Sequence, residues 1–365
     1  MATQPMPTQH ASQQHAARQP LATPRDYRAE IELALAGGTP ARVPFTMYDG
    51  LIPRGVDLAP LQARGLALCC RRGVCRKVMP NVKVSSVEEP GGVLRTVYET
   101  PLGTLTGRQR RSALAYTPIE HPIKRRDDYR VALFIANDAR FEPDYGVFPA
   151  AEAKLGRAGK VIAHTCYEPL MEIQVQWVGQ ERFCYEVADH EDAVLELHAA
   201  IARAHRQMYD VVARGPAEWV LYGGNVVPDM LGPQRVRELI APCWTAFGAR
   251  LHEAGKKVGC HLDANNRLIL DTVRDSGLDF VEAFTPPPDC NVSVAEARAA
   301  WPGKRLWLNF PSSVHLRDSA AIRAATRELL AQAGDRRGFL LGVTEDVPVE
   351  HLVRSYHAIL DVLNE

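Results

Sequence analysis

His261 and Asp263 stand two residues apart in the run Gly259-Cys-His-Leu-Asp-Ala-Asn265. On an extended strand such positions face the same side, so an imidazole and a carboxylate would lie together. A pair of this kind can work as a hydrogen-bonded acid and base, or as two ligands of Zn²⁺. It can also be structural, the two groups bonding only each other and capping the next helix. Cys260 would face the opposite way and pack. Glu282 and Glu345 each close a later apolar run, so His261, Asp263, Glu282 and Glu345 form a candidate zinc set. Asn225 joins His261 and Asp263 as a candidate catalytic residue. It follows Gly223-Gly224, which lets backbone approach a ligand closely, although it equally suits a turn with positive φ. Tyr48, Asp49, His164, Glu168, Arg267 and Asn309 are candidate substrate-binding residues. Glu168 would serve as well as a helix N-cap. The rings of Tyr48 and Trp307 suit either a flat substrate or the core.

These residues share a position: nearly all end a short apolar run. The polar ends are Met47-Tyr-Asp49, His164-Thr-Cys-Tyr-Glu168, Tyr222-Gly-Gly-Asn225, Glu282-Ala-Phe-Thr285, Asn309-Phe-Pro-Ser312 and Gly342-Val-Thr-Glu-Asp346. The runs predict strands over 42–49, 160–165, 218–223, 257–263, 279–285, 305–310 and 338–344. Between the later ones, apolar residues at helical spacing predict helices over 193–212, 233–254, 266–275, 294–301, 319–333 and 349–363. A first helix is expected over 24–35, capped by Thr23 and stopped by Gly37-Gly38. Buried strands alternating with helices specify parallel β/α units. The fold class is therefore α/β, a (β/α)8 TIM barrel. Residues 74–115 alternate β-branched and polar residues around Pro90-Gly91-Gly92, which predicts an N-terminal antiparallel hairpin insertion. Residues 121–145 form a charged loop and helix. In such a barrel the pocket lies at the C-terminal ends of the strands. So many carboxylates on one rim would be costly to bury, which favours a pocket there over a sealed core.

Lys plus Arg and Asp plus Glu are equal at 43 each, which argues against nucleic acid or an anionic membrane as partner. The basic run from Arg108 to Arg111 and the run Lys124-Arg125-Arg126 are expected to be solvated. No apolar run reaches membrane-spanning length. The segment 1–23, rich in Gln, His, Pro and Ala, lacks the apolar centre of a secretory signal and is expected to be a disordered tail before a barrel over 24–365. His10 and His15 within it could bind a metal. The 8 Cys include no CxxC pair, so a zinc knuckle is not expected. Reduced thiols in a cytoplasmic protein are. No Gly-rich dinucleotide fingerprint follows the first strand.

Taken in order, several stretches resemble the uroporphyrinogen decarboxylase superfamily. They are Thr100-Pro-Leu-Gly-Thr-Leu105, Tyr167-Glu-Pro-Leu-Met-Glu-Ile-Gln-Val-Gln-Trp177, Gly223-Gly-Asn225 with Met230-Leu-Gly-Pro-Gln-Arg235, Gly259-Cys-His-Leu-Asp263, and Leu341-Gly-Val-Thr-Glu-Asp-Val-Pro-Val-Glu350. The similarity spans roughly residues 42–364. It implies a barrel enzyme, often a homodimer, with one of two activities. One is porphyrinogen decarboxylation without a cofactor. The other is methyl transfer involving a corrinoid protein, often with zinc. The decarboxylases carry an Arg-Gln-Ala-Gly-Arg segment, where this chain has Thr46-Met-Tyr-Asp-Gly-Leu51. That difference counts against uroporphyrinogen as substrate, because its carboxylates need guanidinium partners. The methyltransferases carry His-x-Cys and a later Cys as zinc ligands. Here His261 matches the His, Asp263 replaces the first Cys, and Leu341 or a neighbour replaces the second. A His/Asp/Glu set is harder than a thiolate set and poorly suited to activating a thiol. The expected function is methyl transfer between a small donor and a separate corrinoid protein, since no Asp-x-His-x-x-Gly segment supplies a cobalamin site. The alternatives are a cofactor-independent decarboxylase, for which Arg267 would hold a carboxylate, and a non-catalytic ligand-binding barrel.

Overall fold

A computed structural model describes residues 25–111 and 116–365. Eight parallel strands close into a barrel: β1 (Phe45–Tyr48), β2 (Leu66–Arg72), β3 (Gly159–His164), β4 (Trp219–Gly224), β5 (Lys257–His261), β6 (Phe280–Phe284), β7 (Arg305–Asn309) and β8 (Phe339–Val343). Each pairs with its chain neighbours, and β8 returns to β1 with Thr46 opposite Gly342. Helices follow the strands around the outside, so the (β/α)8 barrel expected from the strand rhythm is present.

The period of two along each strand sorts side chains into two cores. One set, including Phe45, Val161, Val220, Val258, Cys260, Val281, Leu308 and Leu341, packs outward among the helices. The other fills the barrel interior: Ala67, Cys69, Ile162, Trp219, Leu221, Phe280, Trp307 and Leu340. Helix α1 (Tyr27–Leu35) adds Ile31, Ala34 and Leu35 to that interior cluster. Fully burying an aliphatic or aromatic side chain of this size contributes roughly 1.5–3 kcal/mol. Gly259 belongs to the inward register of β5, where a Cβ would lie 2.4 Å from the Phe280 ring. Its lack of a side chain gives that ring its place. Two steps beyond Cys69, Ile162, Gly259 and Phe280 along the same alternation come Arg71, His164, His261 and Glu282. The strand period thus carries polar groups to the top of an apolar interior.

β2 was not among the expected strands. Its run Leu-Ala-Leu-Cys-Cys-Arg-Arg is short, and it precedes the inserted region instead of standing in the later strand–helix rhythm. The insertion holds more than one hairpin. A four-stranded antiparallel sheet comprises Lys83–Glu89, Val93–Thr100, Gly103–Arg111 and Tyr116–Glu120, and Cys75–Val78 pairs with Arg140–Pro143. Helix α1 begins at Tyr27, capped by the Asp26 carboxylate accepting from the Ala29 N–H, not at residue 24. Thr23, the tail over 1–23, His10 and His15 lie outside the described residues. Among the described residues no helix is long and apolar enough to cross a membrane.

Candidate active site

The register of β4, β5 and β6 sets Gly224, His261 and Glu282 side by side at one level. Gly224 makes room, since a Cβ there would lie 2.9 Å from the His261 Cβ. His261 Nδ1–H donates to Glu282 Oε2 at 2.7 Å, and its Nε2 lies 3.4 Å from Asp263 Oδ2. Glu282 is fully buried, and its other oxygen accepts from the Tyr48 hydroxyl. Burial alone would push the imidazole pKa down. The Glu282 charge and the hydrogen bonds to Asp263 and Glu282 outweigh it and raise the pKa to about 10. His261 is therefore a protonated imidazolium at neutral pH. Burial would raise the Asp263 carboxyl, but its bond to His261 holds it below the ordinary range. Tyr48 is pushed far up by burial and then by the Glu282 charge, so it stays a neutral donor.

His261, with Asp263 3.4 Å from its Nε2, lines a cavity of about 350 Å³ whose other walls include Tyr48, Arg71, His164, Asn225 and Glu345. A second lobe, about 570 Å³, shares Tyr48, Arg71, His164, Thr344 and Glu345 and extends over Asp49 and Asp346. A third, also about 570 Å³, shares Asn225 and Asp263 and runs over Met171, Gln174 and Met230 to Pro118 and His121 at the end of the inserted sheet. The insertion thus supplies one wall of the mouth. His164 is exposed to the cavity, and its pKa falls to about 4, first from desolvation and then from the Arg71 charge. Glu345 is raised by desolvation and by Asp263.

His261, Asp263, Asn225, Tyr48, Asp49, His164 and Glu345 therefore all reach the mouth. Asn225 has φ 56° and donates to the Tyr167 hydroxyl at 3.2 Å, so it is both a positive-φ turn residue and part of the lining. Four other candidates need correction. Glu168 is fully buried behind β4. Its carboxylate accepts from the Gly224 N–H at 3.1 Å and from Trp244 Nε1, and Cys260 Sγ lies 3.3 Å away. It caps no helix with its side chain, and burial raises its pKa to about 7. A Cβ on Gly223 would sit within 1.9–2.1 Å of that carboxyl group. The two glycines thus permit approach of Glu168 and His261, where the sequence left a ligand and a positive-φ turn equally open. Arg267 turns outward to the Asn291 carbonyl and to Glu296 at 2.9 Å. Asn309 is buried, donating to Thr285 Oγ1 and accepting from the Thr344 N–H at 3.0 Å. It positions the Thr344–Glu345 turn. Trp307 is buried in the barrel interior, bonded to Thr46 Oγ1, and cannot stack on a substrate in the mouth.

The expected zinc set is not assembled. Both Glu282 oxygens are already engaged, by Tyr48 and by His261, which makes Glu282 the partner behind the imidazole. The ligand atoms of His261, Asp263 and Glu345 do not gather within 4.8 Å. Among the described residues that closeness is met only by Cys166, Glu172 and His205. There Lys77 Nζ lies 2.8 Å from Glu172, His205 Nε2 lies 3.2 Å from it, and His205 Nδ1 faces the Tyr222 hydroxyl at 3.1 Å. Burial would raise Glu172, but Lys77 and His205 hold it well below the carboxylate range. The network is charge-compensated by Lys77 and has no need of a cation. We derive no step through zinc.

Arg71 is the residue that sequence reasoning missed. Its guanidinium lies 3.9 Å from the centre of the Tyr48 ring and lines two of the three lobes. The signal was available in the alternation of Ala67, Cys69 and Arg71 along β2, had that strand been recognised.

No family model matches the chain, and no curated protein matches it. Among solved structures, a methyltransferase from Methanosarcina mazei is similar at 12% identity and a TM-score of 0.57, over 93% of this chain and 98% of that one. A GH5-4 endoglucanase from Bacteroides salanitronis aligns over 96% of this chain and 98% of that one, at 11% identity and a TM-score of 0.44. The first of these likenesses establishes the fold alone.

Proposed function

We propose that the chain is an enzyme that transfers a methyl group from a small heteroatom-bonded donor to a corrinoid carried by a separate protein, with His261 as the acid. The observation that carries this is an imidazole held from behind by Glu282, with Asp263 at its Nε2, on the wall of the cavity. The methyltransferase neighbour supports this choice by analogy of fold. Arg71, His164 and Asn225 are exposed at the mouth, which leaves the polar floor reachable by a cofactor presented from outside. When bound, the corrinoid supplies the electron pair that forms the new bond to the methyl carbon. As the methyl–heteroatom bond breaks, its electron pair stays on the heteroatom, which takes the Nε2 proton of His261. Glu282 and Tyr48 fix the ring throughout, and Asp263 stabilises its charged form. The neutral imidazole then recovers a proton from water. Removing a positioned general acid typically costs 10²–10⁴-fold in rate.

Decarboxylation is the second reading, and Arg71 favours it, because a guanidinium in the mouth can hold a carboxylate. There the carbon–carboxyl bond breaks, CO₂ leaves, and the electron pair left on carbon takes the His261 proton. One experiment separates the two. Purified protein is mixed with reduced cobalamin and a panel of O- and N-methyl compounds, and methylcobalamin is followed by absorbance. Methylation that falls at least about 100-fold in His261→Ala supports the proposal. CO₂ release from carboxylated analogues without any cobalt methylation overturns it in favour of the second reading.

A further inference from the structure

We infer that Arg71, with Thr344 and His164 beside it, forms a subsite for a carboxylate group of the substrate, so that the substrate is a small carboxylic acid. The inference rests only on the mouth being the substrate site and holds for either chemistry above. Among the described residues Arg71 makes no ion pair and no side-chain hydrogen bond, whereas its neighbour Arg72 is paired with Asp49. A guanidinium left unpaired inside an acid-rich mouth has donors to spare. It does not hang free, because its charge lies over the Tyr48 ring, 3.9 Å from the ring centre. Tyr48 is itself fixed by Glu282, so the fork is tied to the same framework that orients His261. Fixing the fork beforehand reduces the entropy lost when a carboxylate binds in bidentate fashion.

Two further residues line the same space. Thr344 lines both lobes with Arg71, and its hydroxyl is buried without any hydrogen-bond partner. An unsatisfied buried hydroxyl is a cost that a ligand oxygen would relieve. Among the described residues the His164 side chain, also in both lobes, makes no hydrogen bond, and it offers a ring N–H. The opposing charges are Glu345, which lines both lobes as well, Asp263 in the first and Asp346 in the second. Asp49, in the second lobe, is occupied by Arg72. A carboxylate bound at Arg71 would place the rest of a small substrate across the shared lobe toward His261.

The test uses benzoate and its neutral counterpart benzamide, titrated by calorimetry into the full-length protein. Benzoate is expected to bind at least tenfold more tightly than benzamide. Arg71→Gln should weaken benzoate by about 10–100-fold, the range for a lost charge-assisted pair, and leave benzamide unchanged. Arg71→Lys should recover part of the loss, because charge returns without the planar fork. Thr344→Val should weaken benzoate several-fold, and Glu345→Gln should strengthen it. Thermal melts check that each variant is folded. His261→Ala separates this inference from the catalytic proposal, since benzoate selectivity should survive it. Equal binding of the two probes, or benzoate affinity that depends on His261 and not on Arg71, would overturn the inference.

Discussion

Replacing Glu282 with Gln removes the charge that keeps His261 protonated while nearly preserving shape. The Gln carbonyl can still accept from Tyr48, and its amide then presents N–H to His261 Nδ1. That arrangement requires a lone pair on Nδ1 and so favours the neutral ring. In the native protein the imidazole is lifted from 6.5 to about 10, with Glu282 the largest force raising it. An adjacent opposite charge is worth about 1–3 pKa steps, so the variant's imidazole should titrate near roughly 7–9. The sign of the stability effect follows. Between pH 6.5 and about 10 the native state holds a proton that the unfolded chain has lost, so stability falls as pH rises through that window. Each pH step there costs about 1.4 kcal/mol, and the contribution is fully present below 6.5. Urea unfolding of both proteins from pH 6 to pH 10 isolates this term as a difference. The native protein should lose stability steadily to about pH 10, while the variant's loss from this group should end earlier, near roughly pH 7–9. A difference between them that stays flat across the range refutes the reasoning.

Three shorter predictions follow from the corrections above. Gly223→Ala places a Cβ against the Glu168 carboxyl at φ 78°, and should cost about 2–4 kcal/mol by urea unfolding, whereas a loss under 0.5 kcal/mol would show that the segment can shift. Lys77→Met leaves Glu172 buried without its lysine, and should cost about 3 kcal/mol by thermal denaturation; an unchanged melting temperature would mean that His205 compensates alone. Arg267→Ala should leave substrate KM within about twofold, because the guanidinium is held by Glu296 on the outer surface, and a tenfold rise would return Arg267 to the site.

The barrel was legible because buried strands alternate with helices from residue 159 onward, and the site because each strand ends in polar residues. His261 and Asp263 share a face by strand period alone, and they meet as expected. What strand ends cannot reveal is depth. Glu282, Glu168 and Asn309 occupy similar positions in the pattern as His261 and His164, yet they lie behind the cavity wall. Whether such a residue faces the cavity or supports it depends on inter-strand register and on glycines. Gly223 and Gly224 let Glu168 and His261 crowd the backbone, an effect indistinguishable in sequence from room for a ligand. Arg71 escaped notice for a different reason. Its strand has two cysteines and two arginines in seven residues, and its helices, Asp128–Asp138 and Val147–Leu155, come only after the inserted sheet.

The protonation state of His261 is the point on which the catalytic proposal stands. Nitrogen-15 NMR of the imidazole in the full-length protein at pH 8 measures it directly. Both ring nitrogens should carry protons there, with no titration until about pH 10. A neutral ring at pH 8, with a bare Nε2 toward the cavity, would contradict the assignment of this residue as the acid.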